Sequence, residues 1–386
     1  MPQSPYAPFT EEHDMFRATL RSFLAKEVTP HVDEWERAEL VPRSVWKQMG
    51  GMGFLGLRHP EEYGGMNLDY WYTVVLAEEM ARVPAAGFGM GITVQTDMAT
   101  PALARHGSHE LKKKYLEPAV RGDYVCSIAV SEPAAGSDVA AIETRARRDG
   151  DCYVVNGRKM FITNGTQADF ITCLVKTDSE KGHHGFSLLV IPTNLPGFSV
   201  GRKLKKLGNH CSDTAELVLD DVRVPVGNRI GEEGMGFIYQ MQQFQDERLI
   251  ACVSATSSAF AAYERTKEYT RQRRVFGRPI SSFQVNQHRF VEMLTHLTAL
   301  RALVYECAHR FNSGEDVTKQ ISMCKLFAGE VSRSVVDGCL QMYGGYGYMD
   351  EFPISRAYRD NRLFRIGGGS DEVMKEIVAK LEGFQR

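Results

Sequence analysis

The 386-residue chain lacks an excess of charge of either sign: 46 Lys and Arg against 48 Asp and Glu leave a formal net charge of −2. Without a basic surplus it has no electrostatic footprint for nucleic acid or an anionic membrane. It also lacks any apolar run near the ~18 residues that a membrane-spanning helix needs, so no membrane span is expected. Its eight cysteines (126, 152, 173, 211, 252, 307, 324 and 339) never form a Cys-x-x-Cys pair. Several sit in apolar runs such as Ile250-Ala251-Cys252-Val253, as buried reduced thiols do. His183-His184 has no cysteine or carboxylate at ligand spacing and no His-Glu-x-x-His occurs, so no metal is expected. Met1-Pro2-Gln3-Ser4-Pro5 has none of the marks of a signal or transit peptide, and Gly383-Phe384-Gln385-Arg386 is not a peroxisomal address. The expected compartment is the cytoplasm, or the mitochondrial matrix in a eukaryote.

What is present reads as three stretches: residues 1–122 helical, 123–233 β-rich and 234–386 helical again. Phe16, Leu20, Phe23 and Leu24 share a helical face behind Thr10, a candidate N-cap. Further helices are expected at 44–50, 71–81, 98–106 and 110–116. From Tyr124 the runs shorten and alternate, with Asn156-Gly157 as a hairpin signal, and suggest a small barrel or sandwich. Long helices follow at about 237–273, 284–311 and 318–343, with a shorter one after Ser370, as in a helical bundle. The fold class is thus mainly α with a β-barrel middle domain. Lys112–Lys114 and the 202–206 basic run read as solvated faces.

Two motif matches fail on context. Gly51-Met52-Gly53-Phe54-Leu55-Gly56 fits a dinucleotide fingerprint, but a helix precedes it where a strand is required. Gly197-Phe198-Ser199-Val200-Gly201 fits a nucleophile elbow but lies inside the β region with no helix after it. Redox chemistry here would need a cofactor other than NAD.

Five segments remain. Val130-Ser131-Glu132-Pro133-Ala134-Ala135-Gly136-Ser137-Asp138 and Lys159-Met160-Phe161-Ile162-Thr163-Asn164-Gly165 combine hydroxyls, a glycine permitting close backbone approach, and an aromatic wall. Such residues suit a ring-shaped, phosphate-bearing cofactor with an acyl chain beside it, although a Gly/Pro loop alone is an ordinary turn. Arg271–Gly277 with Gln284, Gln341–Gly347, and Tyr358–Asp360 leading to Arg365–Glu372 complete the set. In the last, three glycines feed Ser370, an N-cap candidate whose neighbouring N–H groups can face an anion or carbonyl.

Together, in this order, these segments resemble the acyl-CoA dehydrogenase family over essentially the whole chain. The resemblance implies a helical N-terminal domain, a β-barrel and a C-terminal four-helix bundle, assembled as a homotetramer with FAD in the cleft between domains. Val130, Ser131 and Gly136 would line the flavin, with Phe161, Ile162 and Thr163 along its ring. Arg273, Phe276, Gln284, Gln341, Gly344 and Gly345 would hold the adenosine-diphosphate part of a neighbouring subunit's FAD. Ser370 and Glu372 would sit by their own flavin, and Ser137 and Arg248 along the CoA substrate. The implied reaction is α,β-dehydrogenation of an acyl-CoA, with electrons passed to an electron-transferring flavoprotein. A flavin oxidase or monooxygenase, a carrier-protein-linked substrate, and a non-enzymatic flavin-loaded protein are the competing readings; the near-neutral charge argues against the DNA-binding form of the last.

The reaction needs a carboxylate at the α-proton. Many family members carry it just before the last helix, where this chain has Gly367-Gly368-Gly369. Asp246-Glu247-Arg248 on the first bundle helix instead resembles the isovaleryl- and long-chain subgroups, so Glu247 is the expected base and Asp246 its fallback. Taken blind, such a trio is more often a solvated ion-pair face. Burial beside an acyl chain would raise the base toward neutrality. The Gly368 backbone N–H would face the thioester carbonyl, and the space opened by Gly367, Gly368 and Gly369 would admit branching near the reacting carbons. Together with Gln95–Ala102, the glycine run looks most like citronellyl-CoA dehydrogenases.

Overall fold

A computed structural model describes residues 9–384; the readings made at Met1–Pro5 and at Gln385-Arg386 lie outside them. Helices open the chain: α1 (Glu11–Phe23), α2 (Val32–Ala38), α3 (Arg43–Gly51), α4 (Tyr70–Met80), α5 (Ala86–Thr93), α6 (Pro101–His106), α7 (His109–Leu111) and α8 (Glu117–Val120). Thr10 caps α1, with its N–H donated to His13 Nδ1 at 3.1 Å. Asp69 caps α4 by accepting from Trp71 N at 2.8 Å. The helix expected over 98–106 is split: Val94–Ala99 forms a π-helical segment, and α6 begins only after Thr100, at Pro101. The wider turn suits a proline that offers no N–H to the preceding turn.

Eight strands follow: β1 (Cys126–Ala129), β2 (Arg145–Asp149), β3 (Cys152–Thr163), β4 (Phe170–Lys176), β5 (Phe186–Pro192), β6 (Phe198–Lys203), β7 (Thr214–Pro225) and β8 (Arg229–Ile230). They form one sheet in the order β6-β7-β3-β2-β4-β5-β8, with β1 parallel to β4. A single parallel pair, Arg145 with Lys176, joins its two halves. Tyr153, Val155, Val222 and Val224 from one half share a core with Ile171, Cys173, Leu189 and Ile191 from the other, so the sheet wraps over itself. Its ends, β6 and β8, do not pair, leaving the barrel open along one seam.

Asn156-Gly157 is not the hairpin turn expected there. β3 runs straight through it, and the turn from β2 falls at Gly150-Asp151, where Gly150 adopts φ +64°. Gly157 is needed for approach: a Cβ there would stand 2.3 Å from Thr144 Oγ1 and 2.7 Å from its Cα. Lys206 likewise departs from the solvated face expected of its run: it is half-buried and donates to Ser212 Oγ at 2.9 Å and Thr214 Oγ1 at 3.1 Å.

The chain closes with helices α9 (Gly236–Gln272), α10 (Gln284–Asn312), α11 (Thr318–Tyr343), α12 (Pro353–Asn361) and α13 (Asp371–Leu381). α9 holds no proline and no glycine after its first residue, so 37 residues run unbroken. α9, α10, α11 and α13 pack as a bundle around Leu249, Val253, Leu297, Leu300, Val304, Ile321 and Val335. Among the described residues no helix is long and apolar enough to cross a membrane. The eight free cysteines are dispersed: Cys211, Cys126 and Cys173 lie one in each of three cores, and the bundle core holds Cys252, Cys307, Cys324 and Cys339. Only Cys152 is partly exposed.

Because Thr144 backbone blocks any side chain at 157, Gly157→Ala is expected to cost about 2 kcal/mol. Thermal unfolding of the purified variant would check this through a lowered Tm.

Candidate active site

Two loops flagged in the sequence meet beside the sheet. β3 bulges where its pairing with β7 slips between Lys159 and Ile162. Within the bulge Phe161 adopts φ +64° and stands 70% exposed. A bulky residue held left-handed and turned outward is strained, and such strain persists where a surface has another use. Ser131 O accepts from Met160 N at 2.9 Å, which joins the bulge to the Val130–Asp138 loop. Ile162 is buried beneath the ring and Thr163 half-buried. Gly136 and Ser137 are exposed, with open space where a Gly136 side chain would stand.

Lys159, unassigned in the sequence, holds this corner together. Fully buried, its Nζ donates to Val130 O at 3.0 Å, Leu174 O at 2.8 Å and Glu132 Oε1 at 2.8 Å. Glu132 also takes Glu143 N at 2.6 Å and Thr144 N at 3.0 Å. Burial works against this carboxylate, but the Lys159 charge and these donors hold it below its ordinary range. No alternation marks residue 159 as inward, since Tyr153, Val154 and Val155 are all buried and the strand bulges between Val155 and Gly157.

The second half of the site lies on α9. Asp246, Glu247 and Arg248 are all buried, at 1%, 6% and 7% exposure, so the trio is no solvated face. Asp246 is committed to ion pairs with Arg58 and Arg105, at 2.8 Å each, which removes it as a free carboxylate. Among the described residues Glu247 has no such partner within ion-pair reach. Gln240 Nε2 approaches its Oε1 at 3.2 Å and Gln243 Nε2 at 3.5 Å, while Gln240 Oε1 has no partner among the described residues. Burial is the main influence on Glu247 and pushes it up to about 8, against weaker opposing pulls from Gln243 and Arg248. Gln243 also takes Ala102 N at 2.8 Å and bonds Met98 O, fastening the start of α6 to α9.

Arg248 Nε donates to Gly368 O at 3.4 Å, and Lys325 Nζ to Gly369 O, so the glycine run is pinned against α9 and α11. Gly368 (φ +66°) has open space on its side-chain face; at Gly369 (φ +100°) a Cβ would meet Met374 Cε at 2.6 Å. Ser370 caps α13, accepting from Val373 N, and Glu372 is exposed in its first turn. Val130 and Ala135 share an apolar cluster with Ala99, Ala102 and Phe244, the residue one turn before Glu247. That cluster connects the loop pair to the carboxyl.

Arg273, Phe276, Gln284, Gln341, Gly344 and Gly345 do not join this group. All are exposed, and the Arg273 guanidinium lies over the Tyr346 ring at 5.2 Å. Arg273, the residue after α9, lies 26 positions beyond Glu247, about 39 Å of helix axis, so the two cannot contact one small molecule within one chain. Phe276, at φ +49° and 96% exposed, repeats the strained, outward aromatic of Phe161. The residues present suit a flavin nucleotide: an outward ring in a bulge, a loop open at Gly136, and a second exposed patch with open glycines at 344 and 345.

Glu247 gives a stability signature independent of turnover. Its folded pKa lies above the unfolded one, so its contribution is intact below about pH 4.5 and is lost as pH rises through about 8. In the FAD-loaded protein, Glu247→Gln should therefore be more stable than wild type by a few kcal/mol at pH 9 and gain little at pH 5. Denaturant unfolding at both pH values measures it.

Comparison with known proteins agrees with this geometry. Residues 10–123 match the acyl-CoA dehydrogenase N-terminal domain, 127–222 the middle domain and 234–382 the C-terminal domain. The pig (Sus scrofa) mitochondrial long-chain specific acyl-CoA dehydrogenase is 38% identical over 96% of this chain and 86% of its own. A crystal structure of acyl-CoA dehydrogenase from Geobacillus kaustophilus superposes with a TM-score of 0.95, at 43% identity over 98% of this chain and 100% of that one. A chain from a structure described as the electron transferring flavoprotein of Acidaminococcus fermentans superposes at 0.93, with 35% identity over 97% and 98%. With three domains matched in order and a relative this similar over almost all its length, the chain belongs to the acyl-CoA dehydrogenase family, as an oxidoreductase with FAD as its cofactor.

Proposed function

We propose that this enzyme converts a branched or medium- to long-chain acyl-CoA to the trans-2-enoyl-CoA, with Glu247 as the base that removes the α-proton. The observation that carries the reading is a buried carboxyl with no ion-pair partner among the described residues, pushed up to about 8. A base of that strength suits a weakly acidic carbon better than an ordinary glutamate would. Gly368 N–H is the donor for the thioester oxygen, where developing negative charge needs stabilising. Arg248 and Ser137 lie along the CoA portion. FAD, when bound, supplies the acceptor for the hydride that leaves Cβ. Val130, Ser131, Gly136, Phe161, Ile162, Thr163, Ser370 and Glu372 form its near wall.

The ADP part of that FAD is completed by Arg273, Phe276, Gln284, Gln341, Gly344 and Gly345 of another copy, in a homotetramer. The exposure of all six and the ~39 Å offset of Arg273 from Glu247 along α9 support this arrangement. The exposed side chains Val291 and Leu294, three residues apart on one side of α10, give it an apolar patch that a second copy would cover. An electron-transferring flavoprotein is the proposed acceptor, in keeping with the likeness to the Acidaminococcus fermentans chain. The open space at Gly368 supports tolerance of a methyl branch, as in citronellyl-CoA.

In anaerobic flavin bleaching, Glu247→Gln should keep its FAD spectrum and lose dehydrogenation by roughly 10²–10⁴-fold. Full activity would reject the assignment. Wild-type kcat/KM should rise with pH through about 8, because only the carboxylate can accept the proton. A panel of citronellyl-CoA and straight-chain esters tests the substrate: turnover confined to unbranched chains would remove the branched preference. Rapid reoxidation of the reduced enzyme by air would mark an oxidase.

A further inference from the structure

The carboxylate next to the base is more firmly held than the base itself. Asp246 Oδ1 accepts from Arg58 Nη1 at 2.8 Å, and both its oxygens accept from Arg105 Nη2, at 2.9 and 2.8 Å. Arg58 comes from the segment after α3 and Arg105 from α6, so two parts of the N-terminal domain grip one residue of the bundle. Arg58 Nη1 also lies 4.0 Å from Asp97 Oδ1, in the π-helical segment, and Asp97 Oδ2 accepts from Thr96 Oγ1 at 2.6 Å. The Arg58 guanidinium is roofed by the rings of Tyr70, at 4.9 Å, and Phe311, at 5.4 Å. Two carboxyls and two guanidiniums thus form one chain beside Glu247.

Other ionisable groups near the base are few. Arg248 and Cys252 share its helix; His59, bonded to Thr100 Oγ1 at 2.9 Å, is held neutral by burial and by Arg58 and Arg105, down to about 3. On the far side Lys325 of α11 bonds Gly369 O, and Arg365 is paired with Asp371. Arg58 and Arg105 are therefore the cations that offset Asp246.

We propose that Asp246, through its bonds to Arg58 and Arg105, is a positioning residue that sets the aim of the Glu247 carboxyl and its affinity for a proton. The inference rests on Glu247 as the base. Neighbouring helix residues point about 100° apart, so anchoring 246 from two outside elements fixes the direction of 247. In a dry interior the charge left by a broken pair reaches its neighbour with little screening. The two sides of the pair then act with opposite sign. Removing the anion leaves cations that favour ionised Glu247; removing a cation leaves an anion that disfavours it. A merely structural role would weaken the fold in both cases without this opposition.

The experiment compares Asp246→Asn, Arg105→Gln and the double variant, each as FAD-loaded enzyme. The acid limb of kcat/KM against pH should fall by about one unit in Asp246→Asn and rise by up to about one in Arg105→Gln. The double variant, in which both charges leave together, should return to within about 0.3 units of wild type, as coupled sites do. The same shifts should appear without turnover, in the pH dependence of the stability difference between each protein and its Glu247→Gln counterpart. If both single variants move the limb in one direction, or neither moves either readout, the inference is overturned. If the stability readout moves as stated while Glu247→Gln remains fully active, the identity of the base fails and the positioning role stands. Arg105 is over a third exposed, so its variant keeps the test open should Asp246→Asn fail to fold.

Discussion

The withdrawal of one carboxyl from water governs the active half of this molecule. An isolated carboxylate is too costly to leave uncompensated in an apolar interior, and the usual outcome is that it holds its proton. Glu247 lies in that condition at 6% exposure, with two amides near it and its nearest neighbours' charges already engaged. Everything around it serves to keep water out and the side chain still. α9 runs unbroken through the bundle core, Gln243 ties it to the start of α6, and Arg248 ties it to the glycine run. The function follows from that environment more than from the identity of the residue, since glutamates abound on the surface.

The opposite treatment of charge appears where the Val130–Asp138 loop meets the β3 bulge. Lys159 and Glu132 are as deeply buried, yet the lysine Nζ and both carboxylate oxygens are matched. A matched pair gives rigidity, and rigidity is what a strained bulge needs if Phe161 is to stay left-handed and turned outward. At one corner buried charge fixes shape; at the other, burial raises a carboxyl's affinity for its proton. The two are joined by the apolar cluster that includes Val130, Ala135 and Phe244.

Much of this was legible in the sequence because it rests on local signals. α11 ends where its apolar periodicity gives way to Gly344, and Ser370 caps α13 as a serine before a periodic run should. The loops around Ser131 and Phe161 were visible by composition. What escaped was set by partners distant in the chain. Asn156-Gly157 carries the residues of a tight turn, but Thr144 across the sheet demands a glycine for a different reason. Pro101 permits the split of the helix over 98–106, but the partner that fastens both sides of it, Gln243, lies some 140 residues later, bonding Met98 and Ala102. Asp246 could serve as a fallback base on paper because neither Arg58 nor Arg105 lies near it in sequence.

The placement of the thiols has a practical consequence. Each of the four apolar cores contains at least one cysteine, none of them disulfide-bonded, and all seven of these are sealed from solvent in the native fold. A membrane-permeant alkylating reagent can therefore mark a given core only while that core is open. Timed labelling followed by peptide mass analysis would resolve the order in which the helical, sheet and bundle regions come apart, with Cys152 as the always-accessible reference and no engineered probe required.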